Sequence, residues 1–338
     1  VAKSTLGGLL REGGNLILAG DVGATKILLE VGDFRSDRWE TKLGRRYSTT
    51  EIDNFPGLLT SFLGEWNQVR GKDERITGAG FGVAGPALGN KVKMTHRPIT
   101  VDGDAIGERF LIPQVRVAND LAAAARAVDT LSSRDFVTIQ DGKAVPGEPR
   151  VVLGIGTGLG IAYLVPDGNG GYREIAGEGG HAGFAPATVV QAQLWQSIFA
   201  HHGRVAAEDV VSGMGLAHIY SFVRSSQAHS DSEAEGVITA DWLGERAAKG
   251  DSSATAALDL FGECLGNVAG DHALAVMARG GVYLMGGVIT RVHSRIREGR
   301  FSEAFCAKGA HSAALMKIPV KAVTNERIAL LGAAKLIV

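Results

Sequence analysis

The sequence predicts a two-domain α/β protein in which one strand-turn-strand unit occurs twice. LILAGDVGATKILLEVG, residues 16–32, sets two apolar runs on either side of a short glycine turn. RVVLGIGTGLGIAYLV, residues 150–165, repeats that design, again with a threonine in the turn. Both apolar runs have strand length, whereas longer stretches elsewhere carry helical spacing, so strands and helices are mixed along the chain. The separation of the two units is too long for a solenoid repeat and reads as an internal duplication. With 338 residues the chain can bury a sizeable core, and its length allows one large domain or two ordinary ones. The duplication favours two.

The elements follow in order. Residues 16–20 and 26–31 read as strands, 39–48 as a polar alternating segment, and 55–69 as a helix. Strand-like runs at 78–83, ending in Gly85-Pro86, and at 91–95 come next, then a short helix near 104–110. VRVAND enters a strand end, and the alanine-rich LAAAARAV continues as a helix. After the second glycine turn the pattern is mainly helical, at 189–202, 213–224, 240–249 and 252–278. GGVYLMGGV interrupts it with a buried strand ending in Gly286-Gly287, and the strand IPVKAV and the helix NERIALLGAAKLIV close the chain. The 47 glycines fall mostly in short clusters inside apolar runs, so they mark places where the backbone turns tightly or approaches something closely.

Charge and cysteine content exclude several classes. Thirty-five basic and 36 acidic residues leave a formal charge of -1, and no basic run tracks a phosphate backbone, which argues against a nucleic-acid partner. Cys264 and Cys306 are the only cysteines and do not share a Cys-x-x-Cys spacing, so neither a disulfide framework nor a structural zinc site is expected, in keeping with a reducing cytoplasm. The head, 1–14, carries a short apolar patch broken by Arg11 and Glu12, too short and too charged for a secretory or membrane segment. It is expected to be a disordered tail, and the protein to be cytoplasmic with no membrane partner.

The two turns carry the first chemical signal. A hairpin turn of glycine or alanine followed by threonine offers backbone N–H groups and a hydroxyl to phosphate oxygens. GIGTGLG lacks the G-x-G-x-x-G register, and no glycine run ends in Gly-Lys-Ser or Gly-Lys-Thr, so neither a dinucleotide fingerprint nor a Walker A loop is present. Asp21 stands where an apolar strand enters the first turn, and an ionised carboxylate there needs a partner. A magnesium ion with its water shell, bridging to nucleotide phosphates, is one reading; an Asx-type turn is the other, and on this motif alone they stand level. Asn119-Asp120 reads first as a helix N-cap and second as a catalytic carboxylate at the carboxyl end of a strand. In REIAGEGGHAGFAP, Glu178 and His181 are separated by two glycines and build no amphipathic face, which suits a loop recognising sugar hydroxyls. Glu208 is a further sugar acceptor or a first-turn helix acid, and alone it reads as the latter.

Together these segments resemble the bacterial-type glucokinases of the sugar kinase, heat-shock chaperone and actin superfamily. The resemblance rests on GDVGAT at 20–25, FGVAGP at 81–86, ANDL at 118–121, GIGTGLG at 154–160, GEGGH at 177–181, AEDVVSG at 207–213 and LMGGV at 284–288. It implies a two-domain actin-like ATPase fold, a duplicated ribonuclease H-like design closing on an interdomain cleft. The smaller α/β domain would be 15–117 plus 325–338, and the larger 118–324. By resemblance Gly20, Asp21, Val22, Gly23, Ala24, Thr25, Gly156, Thr157 and Gly158 match the phosphate-contacting turns, and Gly286 and Gly287 the adenosine-side loop. Asp120 matches the general base; Asn119, Asp120, Glu178, His181 and Glu208 match the residues that bind glucose. The chain departs from the family at Ala24 and Lys26, where Gly and Asn are common, at His96 and Ile99, and at Gly183, where an Asp is expected. The cysteine-rich zinc motif of the neighbouring repressor and kinase branch is absent.

The resemblance therefore implies ATP- and Mg2+-dependent phosphorylation of glucose at its 6-hydroxyl, the first step of glycolysis. Nothing in the sequence reads out an oligomeric state; a homodimer is expected only because dimers are common among soluble enzymes. A broader hexose kinase and a non-catalytic sugar sensor on the same fold are the alternatives. A glycoside hydrolase pairing Asp120 with Glu178 is a third, and the duplicated phosphate turns argue against it.

Overall fold

The first glycine turn joins two strands, β1 (Asn15–Val22) and β2 (Lys26–Arg35), which pair antiparallel. β3 (Arg38–Ser48), α1 (Phe55–Val69) and β4 (Arg75–Val83) follow, then the short strands β5 (Ala87–Leu88), β6 (Lys91–Lys93) and β7 (Thr100–Asp102). α2 (Gly103–Phe110), β8 (Gln114–Asn119) and α3 (Asp120–Arg126) complete this part of the chain. The next part holds β9 (Phe136–Gln140), β10 (Arg150–Ile155), β11 (Leu159–Pro166) and β12 (Tyr172–Gly177). Its helices α4 (Val189–His202), α5 (Gly213–Ser226), α6 (Ala240–Ala248) and α7 (Ser252–Val276) precede β13 (Val282–Met285). α8 (Gly287–Glu298), α9 (Phe301–Cys306), α10 (Ser312–Leu315), β14 (Val320–Val323) and α11 (Ile328–Lys335) close the chain. This computed structural model describes residues 15–36, 38–95, 97–226 and 237–338; the expected tail at 1–14 and the departure at His96 lie outside them.

The chain divides into two compact units, one of residues up to Thr130 with Ile328–Val338, the other Leu131–Arg327. The sequence reading draws its boundaries at 117/118 and 324/325. The first unit continues through α3 because that helix, with Ala122 to Ala125 all buried, packs on α11 and β4.

In the first unit the sheet order is β3-β2-β1-β4-β8, with β1, β4 and β8 parallel. The alternation of β1 sorts its side chains. Leu16, Leu18 and Val22 join a core with Phe55, Leu59, Phe62 and Trp66 of α1, whereas Ile17 and Ala19 pack against Leu330 and Ala334 of α11. Asp21, two residues beyond Ala19, therefore lies on the face covered by α11 and α3. α1 starts where the Asn54 side chain accepts from the Gly57 N–H at 3.1 Å, with Pro56 in its first turn.

In the second unit the order is β12-β11-β10-β13-β14-β9. Its first five strands repeat the first unit's plan: an antiparallel three-strand meander followed by two parallel strands, with β9 added antiparallel at the edge. The core gathers Val151, Leu153 and Ile155 of β10 with Phe261, Leu265 and Ala269 of α7.

Besides the short strands β5 and β7, the edge strand β9 and the short helix α10, none of which the sequence reading placed, other features differ from it. The segment 91–95 contributes only β6, in a separate three-stranded sheet with β5 and β7. Residues 172–177, read as the start of a loop, form β12; as an edge strand it leaves Ile175 exposed and lacks an apolar alternation. α8 and α9 stand where no helix was read, although Val288, Ile289, Val292 and Ile296 recur at helical spacing. Among the described residues no helix is long and apolar enough to cross a membrane.

Candidate active site

In the first unit the candidate residues collect at the carboxyl ends of β1, β4 and β8. Asp21 is in register with Gly82, Gly82 with Ala118, and Val83 with Asn119. At about 4.8 Å per strand, β1 and β8 stand roughly 10 Å apart. Asp21 is buried, and among the described residues its carboxylate has neither a hydrogen-bond partner nor an ion pair. The Asx-type turn is thus not formed. Burial, reinforced by the negative charge of Asp120 and opposed by Lys26, pushes the Asp21 carboxyl up to about 7. Asn119 is the N-cap of α3: its Oδ1 accepts from the N–H groups of Leu121 at 3.0 Å and Ala122 at 3.1 Å, and its Nδ2 donates to the Gly85 carbonyl at 3.2 Å. Asp120, half-buried, is the first helical residue and accepts from the Leu121 N–H at 2.8 Å. The capping role belongs to Asn119, which leaves Asp120 at the helix start where the macrodipole favours its charge.

The turn from Gly23 to Thr25 is held from a distance. Gly23 N–H donates to the Lys26 carbonyl at 2.9 Å, closing the turn on itself. The hydroxyl of the fully buried Thr49 donates to Gly23 O at 2.8 Å, and its N–H donates to Thr25 O at 3.1 Å. Among the described residues, the Ala24 and Thr25 amides have no backbone partner, so these are the donors left for an oxygen ligand. Sequence reasoning missed Thr49 because its contact spans more than twenty residues and has no local pattern.

In the second unit the turn Gly156-Thr157-Gly158 lies beside two helix starts. The Gly156 N–H donates to Gly158 O at 3.0 Å, and Gly156 O accepts from the N–H of Gly213, the first residue of α5, at 2.8 Å. α8 starts at Gly287, directly after β13, which runs parallel to β10 with Gly154 opposite Met285. Gly286 has φ 104°, and a Cβ on it would collide with the Ile155 carbonyl, so only glycine joins strand to helix there. Two helix N-termini thus direct positive potential toward the turn, an arrangement suited to phosphate. Gly213 belonged to a quoted motif but its part in the turn was not read.

The same unit gathers Glu178, His181 and Glu208. Residues 182–184 run beside 205–207: Ala207 N–H donates to Ala182 O at 2.8 Å, Phe184 N–H to Val205 O at 3.0 Å, and Gly183 bridges Ala206. Gly183, where an acid was expected, is thus a backbone pairing position. His181 then stands between two carboxylates, its Nε2 3.9 Å from Glu178 Oε2 and its Nδ1 3.8 Å from Glu208 Oε1. Glu178 and His181 are largely exposed, and Glu208 is mostly covered. Arg204 donates to the His181 carbonyl at 2.8 Å, a contact no sequence signal marked. Among the described residues no group of three or more His, Cys, Asp or Glu is placed to hold a metal ion directly.

A sheet plan of 3-2-1-4-5 order occurring twice, each copy with a glycine hairpin turn, defines the actin-like ATPase fold. The strand-end carboxylates of the first copy and the carboxylate-histidine group of the second are the candidate sites on that fold. A family model for glucokinases matches residues 18–338, so the chain belongs to the glucokinase family. It is 33% identical over 341 residues to the glucokinase of a Synechocystis species, covering 94% of this chain and 96% of that protein. It is also 33% identical to the glucokinase of Chromobacterium violaceum, over 94% of this chain and 88% of that one. The crystal structure of a glucokinase from an Antarctic psychrotroph superposes with a TM-score of 0.84 at 29% identity, over 96% of this chain and 99% of that chain.

Proposed function

We propose that the protein phosphorylates glucose at the 6-hydroxyl with ATP, giving glucose 6-phosphate and ADP. The observation that carries the reading is the position of Asp120, at a strand end and helix start in a chain that belongs to the glucokinase family. Phosphoryl transfer rests on positioning and charge stabilisation. Asp120 orients the 6-hydroxyl and accepts its proton as the oxygen approaches the γ-phosphorus. In a loose transition state that proton moves late, so a carboxylate of ordinary basicity suffices.

The donors of the turns at Gly23 to Thr25 and Gly156 to Gly158 hold the phosphates, and Gly286 and Gly287 border the adenosine. Asn119 of the first unit, whose second amide hydrogen remains for a sugar oxygen, and Glu178, His181 and Glu208 of the second are the candidate hexose ligands. Magnesium fits Asp21: a buried carboxylate with no partner among the described residues suits a hydrated cation held through water. When bound, the ion neutralises phosphate charge. Lys26 adds a positive charge beside the turn, at the position where Asn is common.

The test is a coupled assay for ADP with glucose, with and without magnesium. Glucose- and magnesium-dependent ADP release is expected. Binding of glucose with no ADP formed would make the protein a sensor, and comparable rates on mannose, fructose or glucosamine would make it a general hexose kinase.

A further inference from the structure

The segment AEDVVSG touches the Gly156-Thr157-Gly158 turn at both ends. At its start, Glu208 Oε2 accepts from the N–H of Leu159, the residue that leaves the turn, at 2.7 Å. At its end, Gly213 N–H donates to Gly156 O at 2.8 Å. Between them Val210 and Val211 are fully buried, which anchors the segment in the core. The approach of Glu208 depends on its neighbour's lack of a side chain, because a Cβ on Gly158 would overlap Glu208 Oε2. Leu159 is gripped from its other side too: Gly180 lies against its carbonyl, and Gly180 O accepts from Glu208 N–H at 2.9 Å. The second oxygen of Glu208, Oε1, faces His181 at 3.8 Å.

One carboxylate thus has each oxygen on a different task. Building on the assignment of Glu208 to the hexose and of the turn to phosphate, we infer that Glu208 is a tether between the two substrates. Oε1 takes a sugar hydroxyl while Oε2 holds the Leu159 N–H, and the missing Cβ at Gly158 makes the double engagement possible. A hydroxyl on Oε1 fixes the carboxylate plane and so the direction in which Oε2 accepts. The turn is then held in one geometry before nucleotide arrives, and the ordering it would otherwise lose on binding phosphate is already spent. By linkage, nucleotide tightens hexose by the same factor.

The variants separate the two tasks. Glu208→Gln keeps an acceptor for Leu159 but offers the hexose an amide in place of a charge. Glu208→Ala removes both contacts, and Gly158→Ala drives the carboxylate off Leu159. The affinity of a non-hydrolysable ATP analogue is measured by calorimetry with and without saturating glucose, and the glucose affinity of each variant alone. Wild type is expected to bind the analogue about 5- to 50-fold tighter with glucose. Glu208→Gln is expected to weaken glucose roughly tenfold yet keep that factor. Glu208→Ala and Gly158→Ala are expected to reduce it to about twofold or less. Hydrogen exchange of a peptide spanning 154–161, with glucose and no nucleotide, reads the turn directly. Protection is expected in wild type and Glu208→Gln and lost in the other two. If Gly158→Ala does not fold, Glu208→Ala decides alone.

A wild-type factor in Glu208→Ala or Gly158→Ala, or no coupling and no protection in wild type, overturns the tether. If neither Glu208 variant weakens glucose, the placement of Glu208 in the sugar site fails, and the tether with it. If both weaken glucose while the coupling factor stays at the wild-type value, the tether alone fails.

Discussion

In the first unit the strand entering the turn ends Gly20-Asp21-Val22; in the second, at the same register, it ends Leu153-Gly154-Ile155. Asp21 lies opposite Leu28 and beside Gly82, whereas Gly154 lies opposite Gly160 and beside Met285. The contrast continues at the end of the outer parallel strand. There the first unit has Asn119-Asp120 at the start of α3, and the second has Thr324-Asn325, both tied to Asp135, with Asn325 Nδ2 3.0 Å from Asp135 Oδ1. The frame was duplicated, but at these two matched positions carboxylates occupy one copy only. The second copy's candidate carboxylates, Glu178 and Glu208, lie in the stretch between β12 and β13, which in the first unit corresponds to α1 and its short flanking loops. The proposed assignments put the general base, Asp120, on one copy of this scaffold and the two hexose-binding glutamates on the other.

The largest test of that division is Asp120→Ala. It should lower kcat by about 10^3-fold or more, in line with loss of a general base, while glucose affinity stays within about tenfold. Steady-state ADP release and calorimetric titration with glucose check the pair of values, and a near-normal kcat would erase the contrast between the copies.

Asp21→Asn should also lower activity, by roughly 10^2-fold for loss of a positioned charge, and it should stabilise the ligand-free chain. The Asp21 carboxyl, at about 7 in the fold against an ordinary 3.8, keeps its proton longer in the fold. The folded state then binds more protons between those values, so stability present below pH 3.8 is lost as pH rises toward 7. The penalty above pH 7 is at most about 4 kcal/mol. In magnesium-free buffer the melting temperature of Asp21→Asn should exceed wild type by a margin that widens across that window; a margin that narrows refutes the burial of an uncompensated acid.

Gly286→Ala probes the frame of the second copy. Its positive φ and the overlap with Ile155 O predict a loss of about 1–3 kcal/mol in stability and a raised KM for ATP, read by denaturant melts and kinetics. The smallest effect is expected for Glu178→Gln, since this side chain is largely exposed. A panel of deoxy sugars should show discrimination reduced at one hydroxyl by about 1 kcal/mol, with less change than Glu208→Gln gives.

Both hairpins, the helix α3 behind Asn119-Asp120 and most of the long helices were legible because strand alternation, glycine turns and helical spacing are local signals. The relation between Glu178, His181 and Glu208 was suggested only by motif. Their proximity arises from 182–184 running beside 205–207, a backbone pairing that leaves no periodic mark in GHAGF or VAAED. β12 escaped because an exposed edge strand needs no apolar alternation. The cap reading of Asn119-Asp120 was right for Asn119, and its neighbour's place one residue further on required the helix start itself.

α11 is made after the second unit yet belongs to the first. Its Ile328, Leu330, Ala333 and Ala334 are buried, and it packs on β1, β4 and α3. During synthesis the whole stretch Leu131–Arg327 emerges before the opening sheet receives its final covering helix. A ribosome-bound chain stopped short of Ile328 therefore presents Ile17 and Ala19 to water and leaves the helix bearing Asp120 without its partner helix, so the first unit matures only once α11 has been translated.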